Sequence, residues 1–263
     1  MDKNRRDFLK IAGVAALGLG GGIPLLRGEI AAEEGGHGHG VSTDNQLAMV
    51  VDMKKCQDER VRRACAEACH SVHNVPDIPD PEEEIKWIWT ERYADTFPER
   101  IHERAPSAMS DMPVMVLCNH CSNPPCVRVC PTQATWKRKS DGLVMMDMHR
   151  CIGCRFCIAA CPYGARSFNW RDPRPFLGKN IRLPYPTRTK GVVEKCNFCA
   201  ERLRRGGEPA CVEACRTTPG GRNALVFGDL SDPHSEVSRI IKASYTIVRK
   251  AGLGTGPNVY YVV

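Results

Sequence analysis

The sequence predicts an α+β fold of two small modules, one inserted within the other, with long surface loops. Three observations carry this. The fifteen cysteines fall into four groups. Each group follows a short β-rich apolar run and precedes a helix-forming stretch, so one unit recurs four times. The spacing within the groups then joins the second to the third and the first to the fourth.

The apolar runs lie at 49–51, 114–117, 143–146 and 192–193. They define an outer module from 47–75 plus 192–227 and an inner module at 114–165. Two insertions separate the units. Residues 76–113 are acidic and proline-punctuated and hold Trp87, Trp89, Tyr93 and Phe97; residues 166–191 are rich in proline and arginine. Both read as surface loops. The aromatic stretch offers either a partner surface or packing over the core. The C-terminal segment, 228–263, contains a helical stretch at 235–250 and a final apolar run at 259–263.

Ahead of the modules, Asn4-Arg5-Arg6-Asp7-Phe8-Leu9-Lys10 is followed by a weakly apolar stretch at 11–26 and then Arg27. Residues 1–32 read as a twin-arginine export signal. A buried helix fits poorly, because each of the five glycines between 13 and 22 costs about 1 kcal/mol there. The run is also shorter than the roughly 20 residues that span a bilayer. Cleavage after Ala32 is compatible with the sequence. Ile30 is larger than the usual small residue, so an uncleaved anchor is the alternative. This route carries folded proteins whose cofactor is inserted before export. It predicts use of the twin-arginine machinery and a periplasmic location, peripheral to the cytoplasmic membrane. Residues 33–46, containing Gly35-Gly36-His37-Gly38-His39-Gly40, read as a flexible linker.

The formal charge of +7 invites a nucleic-acid reading, which does not hold. Loss of residues 1–32 removes five basic and three acidic residues and leaves +5. Cysteine thiolates, where they bind a metal, lower it further. No basic stripe with interleaved aromatics is present.

The third cysteine group, Cys151-x2-Cys154-x2-Cys157-x3-Cys161-Pro162, has the run of a bacterial ferredoxin. Three cysteines on a tight loop wrap one cubane, while the fourth opens a helix, points away and ligates the neighbouring cluster. Pro162 suits the first turn of such a helix, and Gly153 lets the backbone approach the cluster. The second group, Cys118-x2-Cys121-x4-Cys126-x3-Cys130-Pro131, has the same shape with two extra residues. Exchange of fourth cysteines gives Cys118, Cys121, Cys126 and Cys161 for cluster one, and Cys151, Cys154, Cys157 and Cys130 for cluster two. The fourth group, Cys196-x2-Cys199-x11-Cys211-x3-Cys215, pairs with the first, Cys56-x8-Cys65-x3-Cys69. Cys196, Cys199, Cys211 and Cys69 form a third complete set.

Cys56, Cys65 and Cys215 are one ligand short. The missing thiol belongs three positions before Cys65, where Arg62 stands, and a guanidinium has no lone pair for a metal. Three outcomes stay open: an oxygen from Asp58 or Glu59, a [3Fe-4S] cluster on three thiolates, or an empty site. The expected cofactors are three [4Fe-4S] clusters and, at the incomplete site, a fourth [4Fe-4S], a [3Fe-4S] cluster or nothing.

A structural zinc-binding interaction protein is the competing class. Zinc does not account for the displaced fourth cysteine, the Cys-Pro junctions or three complete sets, and disulfides do not require such clustering. His70, His73, His120 and His149 read as hydrogen-bonding neighbours or surface residues rather than ligands. There is no nucleotide-binding glycine loop and no nucleophile elbow, so no catalytic residue is assigned and the protein is expected not to be an enzyme by itself.

Over nearly its whole mature length the chain resembles the four-cluster ferredoxin-type electron-transfer subunits of membrane-associated oxidoreductases. The resemblance rests on Cys118-Asn119-His120-Cys121-Ser122-Asn123-Pro124-Pro125-Cys126, Arg150-Cys151-Ile152-Gly153-Cys154-Arg155, and Ala160-Cys161-Pro162-Tyr163-Gly164-Ala165-Arg166. Lys195-Cys196-Asn197-Phe198-Cys199, Phe227-Gly228-Asp229-Leu230 and the tail from Gly254 to Tyr261 extend it. It implies two ferredoxin-like modules. A signal of its own is similar to the branch that works with an NrfD-like integral membrane quinone-interacting protein and a multihaem cytochrome c or other redox subunit. Cys69-His70-Ser71-Val72-His73-Asn74-Val75-Pro76 and Trp87-Ile88-Trp89 resemble the DsrO-type subunit of the Dsr membrane complex of sulfur metabolism. Beta subunits of polysulfide, nitrite or molybdopterin oxidoreductases are the alternative. Arg216 stands where the family often has proline.

Overall fold

The computed structural model describes residues 44–178 and 181–263. The twin-arginine segment and the glycine–histidine stretch of the linker lie outside the described residues. The fold mixes helix and sheet. In sequence order the strands are β1 (Leu47–Asp52), β2 (Ile88–Arg92), β3 (Pro113–Leu117), β4 (Thr135–Lys137), β5 (Val144–Met146), β6 (Ser167–Phe168), β7 (Val193–Glu194), β8 (Leu225–Asp229), β9 (Thr246–Ile247) and β10 (Val259–Val262).

β1 is an interior strand of the largest sheet, whose order is β8-β1-β10-β9. It runs antiparallel to β8, with Val51 opposite Leu225, and parallel to β10, with Met49 opposite Val259. Its apolar run is unbroken because both faces are covered. Met49 and Val51 lie in the main core with Trp87, Phe97 and Tyr261. Ala48 and Val50 join Val237, Ile240 and Ile241 of helix Glu236–Ala243. The remaining strands form three antiparallel pairs, β2 with β3, β4 with β5 and β6 with β7.

All four strand–cysteine–helix units are present. β1 leads through Cys56 to helix Glu59–Val72, and β3 leads through Cys118 and Cys121 to helix Pro125–Arg128. β5 leads through Cys151 and Cys154 to helix Phe156–Ala159, and β7 through Cys196 and Cys199 to helix Ala200–Leu203. Asp58 starts the long helix, its carboxylate accepting the Arg60 N–H at 2.9 Å. That helix buries Val61, Cys65 and Cys69, spaced by four, so the cysteine spacing sets both thiols on one apolar stripe. Helix Ala210–Thr217 does the same with Cys211 and Cys215. Cys65 and Cys215 meet where the two helices pack.

The aromatic segment does not present a partner surface. Trp87, Trp89, Tyr93 and Phe97 are all buried. The Trp87 indole N–H donates to the Glu194 carboxylate at 3.0 Å, and Phe97 meets Tyr261 edge to face. Residues 88–92 pair along the whole of β3, and alternation around two tryptophans serves that pairing. The 166–191 segment is likewise tied in. Arg188 is buried in an ion pair of 2.7 Å with Glu194, and Asn74 donates to the carbonyls of Arg182 and Tyr185.

The C-terminal helix is shorter than the predicted 235–250. Ser235 caps it, its hydroxyl accepting from the Ser238 N–H at 3.1 Å, and it ends at Ala243. Tyr245, Thr246 and Ile247 favour extended backbone, and residues 246–247 pair with β10. Among the described residues no helix is long and apolar enough to cross a membrane.

Candidate functional site

The opening Cys-x2-Cys loops of the second, third and fourth groups share one backbone device. The third residue of each is left-handed: His120 at φ 42°, Gly153 at 69° and Phe198 at 53°. This conformation suits glycine and is costly for other residues. At Gly153 a β-carbon would come within 2.5 Å of the Gly191 carbonyl oxygen, so the packing demands glycine. At the other two loops His120 and Phe198 stack on each other, ring centroids 3.9 Å apart, and both are buried. The tight turns aim amides at sulfur. The Phe198 N–H reaches the Cys196 sulfur at 3.4 Å, and the Ala210 N–H reaches that of Cys199 at 3.3 Å.

The structure brings the predicted sets together across long sequence gaps. Cys118, Cys121, Cys126 and the distant Cys161 line one cavity. Cys130, Cys151, Cys154 and Cys157 line another. Cys69, Cys196, Cys199 and Cys211 are all buried. Burial first, and then the neighbouring thiols Cys196, Cys211 and Cys199, push Cys69 well up. Burial and Cys118 push up Cys121, to about 12. Sulfurs crowded in fours, wholly buried in the third set and partly in the first two, are costly as free thiolates and well suited to sharing their charge with a cationic metal core. None of the fifteen cysteines forms a disulfide. The residues present therefore fit four-thiolate metal centres. In the incomplete set Cys56, Cys65 and Cys215 also come together, buried.

Arg166 and Lys195 are buried cations among these sets. Arg166 is 5% exposed and lines the first cavity. Burial works to lower it, but Cys126, Cys157 and Cys118 outweigh that and raise it. Its charge acts on the Cys126 and Cys157 thiols, one from each of the first two sets, and its guanidinium donates to the Thr135 hydroxyl at 2.8 Å. Lys195 is 2% exposed and donates to the carbonyls of Val144 and Cys196, the latter at 2.7 Å.

Around the third set, His73 stacks on Trp87 at 4.5 Å. It contacts the Cys69 carbonyl and the Glu201 carboxylate, each at 2.9 Å. Burial opposes its charge, but the Cys199 thiol and Glu201 hold it protonated, its pKa raised to about 9. His120 is the reverse case: burial and the Lys195 cation keep it neutral, while its Nδ1 accepts the Val144 N–H at 3.1 Å.

A 4Fe-4S dicluster domain family matches residues 112–174 and 180–226, which hold the second, third and fourth cysteine groups. The Hdr-like menaquinol oxidoreductase iron-sulfur subunit 1 of Archaeoglobus fulgidus is 39% identical, over 98% of this chain and 97% of the relative. The menaquinone reductase iron-sulfur cluster-binding subunit of Nitratidesulfovibrio vulgaris is 35% identical, over 81% and 87%. The NrfC homolog of Haemophilus influenzae is 33% identical, over 98% and 94%. The protein belongs to this family of iron–sulfur subunits.

As a member it carries several 4Fe-4S clusters and is an electron-transfer subunit of an oxidoreductase complex rather than its catalytic part. Sequence reasoning found the thiols of this subunit and missed its buried cations. Arg166 closes the stretch Ala160-Cys161-Pro162-Tyr163-Gly164-Ala165-Arg166, and Lys195 precedes Cys196. A basic residue directly beside a cysteine set was the available signal. His70, His73 and His120 fall near cysteine groups as expected, with His73 and His120 buried and His149 exposed.

Proposed function

We propose that the protein relays single electrons through clusters held by Cys118, Cys121, Cys126 and Cys161, by Cys151, Cys154, Cys157 and Cys130, and by Cys196, Cys199, Cys211 and Cys69. The observation that carries this is the crossed arrangement of the first two sets, in which each cavity takes three cysteines from one loop and the fourth from the other. Bound there, the clusters supply reversible one-electron chemistry. The protein's own residues fix the rest: amides aimed at sulfur favour the charged ligand, and Arg166 places a buried positive charge between two sets. An inner ferredoxin-like module at 114–165 nested in an outer one at 47–75 and 192–227 would form one wire.

In this reading the subunit is exported folded through the twin-arginine route. It works in the periplasm, peripheral to the membrane, between an NrfD-like quinone-interacting protein and a multihaem cytochrome c or other redox subunit. The motifs from Cys69 to Pro76 and from Trp87 to Trp89 favour a Dsr-type complex of sulfur metabolism. Likeness to the arsenate respiratory reductase iron-sulfur subunit ArrB of a Shewanella species, 35% identical over 82% of this chain, favours the second reading, a beta subunit of another membrane oxidoreductase.

Redox titration of the anaerobically purified full chain tests the relay. At least one cluster should respond between quinone-like and cytochrome-like potentials, and a protein with no responding cluster in that range is not the relay. Copurification then separates the two readings, with a Dsr-type assembly bringing an NrfD-like protein and a cytochrome, and the alternative bringing a molybdopterin subunit.

A further inference from the structure

Cys56, Cys65 and Cys215 are 1%, 0% and 0% exposed. They come from the turn after β1, from helix Glu59–Val72 and from helix Ala210–Thr217. Three buried thiols by themselves can be ordinary core. The backbone around Cys215 says more. Its sulfur and that of Cys56 converge on the one turn that leads into β8, Cys56 lying 3.7 Å from the Ala224 carbonyl oxygen. Cys65 is brought to the same place by the packing of helix Glu59–Val72 on helix Ala210–Thr217. Three sulfurs from three elements directed at one turn form a convergent set rather than scattered core positions. As a thiol, Cys215 also donates to the Gly221 carbonyl at 3.2 Å, a contact that iron binding would replace.

The residues that the sequence offers for a fourth ligand are turned elsewhere. Arg62, three positions before Cys65, folds back so that its guanidinium donates to the carbonyls of Cys56 and Gln57, each at 2.7 Å. Asp58 is committed elsewhere. One oxygen accepts the Arg60 amide at 2.9 Å, and both bind the Arg60 guanidinium, at 3.1 and 2.6 Å. Glu59 is exposed. Three thiolates match a three-iron cluster one to one, whereas a cubane needs a fourth donor.

We propose that Cys56, Cys65 and Cys215 hold a [3Fe-4S] cluster, with Arg62 at the place where the fourth thiolate of a cubane would enter. This rests on the electron-transfer reading and adds to the wire a centre of a different type. Oxidised, all three irons are ferric and the cluster has an unpaired spin; one electron converts it to the reduced form without loss of iron.

The test uses the full chain purified without oxygen, with iron and sulfide counts and EPR spectra of the oxidised and reduced states. About fifteen irons per chain and an oxidised three-iron signal of one spin per chain are expected. Arg62→Cys should supply the missing ligand, raising iron to about sixteen and abolishing the oxidised signal. Arg62→Ala should keep the signal, so that its loss in the cysteine variant reports the new thiol. Cys56→Ser should lose the signal and keep about twelve irons. About twelve irons in the natural protein with no oxidised signal would mean an iron-free site. That result overturns this proposal and leaves the relay standing. About sixteen irons with no oxidised signal would mean a cubane with another ligand and overturns it equally. A protein with no iron overturns both.

Discussion

Replacing Arg166 by glutamine removes a buried positive charge from between two cysteine sets while keeping a hydrogen-bond donor for the Thr135 hydroxyl. Arg166 lines the cavity of the first set, and its charge acts on both Cys126 and Cys157; a separation of roughly 6 Å from an electron added to either cluster sets the scale. At an effective dielectric constant of about 20, a unit charge at that distance is worth roughly 2–3 kcal/mol. For a one-electron couple this is about 100 mV. The variant should therefore lower the midpoint potentials of the clusters on the first two sets by about 100 mV, and that on Cys196, Cys199, Cys211 and Cys69 by less. EPR-monitored redox titration reads this directly, with iron content as the control for folding. Arg166→Lys, which keeps the charge, should restore most of the shift. An unchanged potential in the first two clusters, or an equal fall in all three, would refute the electrostatic role.

The exchange of fourth cysteines predicts paired losses: Cys161→Ser should remove the same EPR signal as Cys118→Ser, and Cys130→Ser the same signal as Cys154→Ser. Trp87→Ala should destabilise the protein by about 3–5 kcal/mol, because a buried indole is lost and the Glu194 carboxylate loses a donor. Thermal melting and iron retention should both fall, and a loss of partner binding alone would contradict the core assignment. His73 has its pKa raised from 6.5 to about 9. Its charge therefore contributes stability that is fully present below pH 6.5 and is lost as pH rises through 9. The size is about 3 kcal/mol. Denaturant titrations across that window should show the decline, and Glu201→Gln should flatten it. Glu194→Gln leaves the Arg188 guanidinium buried without its carboxylate and should cost about 3–5 kcal/mol, read from the shift in urea midpoint.

The four units were legible because each joins signals of short range: an apolar run, a cysteine spacing and a helix start. β1, β3, β5 and β7 all follow from those runs. What escaped were elements defined by distant partners. β2 carries an arginine, a glutamate and a threonine and becomes a strand through its register with β3. β10 is a strand only because β1 offers a parallel edge more than two hundred residues earlier. At the site, cysteine chemistry is specific enough to be read from spacing. Arg188 resembles any surface cation in the sequence, and for Arg166 and Lys195 the sequence offers only nearness to a cysteine; what makes all three buried is what surrounds them in space.

The His120–Phe198 stack has a consequence for timing. Electron tunnelling falls off exponentially with distance, so a relay whose parts breathe against each other has a fluctuating rate. Here the loop of the first set and the loop of the third are separated by two rings in van der Waals contact, 3.9 Å between centroids and 19° from parallel. Each ring is seated on a left-handed residue that has little freedom to swing. Such a spacer is nearly incompressible. In the proposed relay, transfer between the first and third sets should therefore run at one rate rather than a spread of rates, set by driving force and insensitive to solvent viscosity.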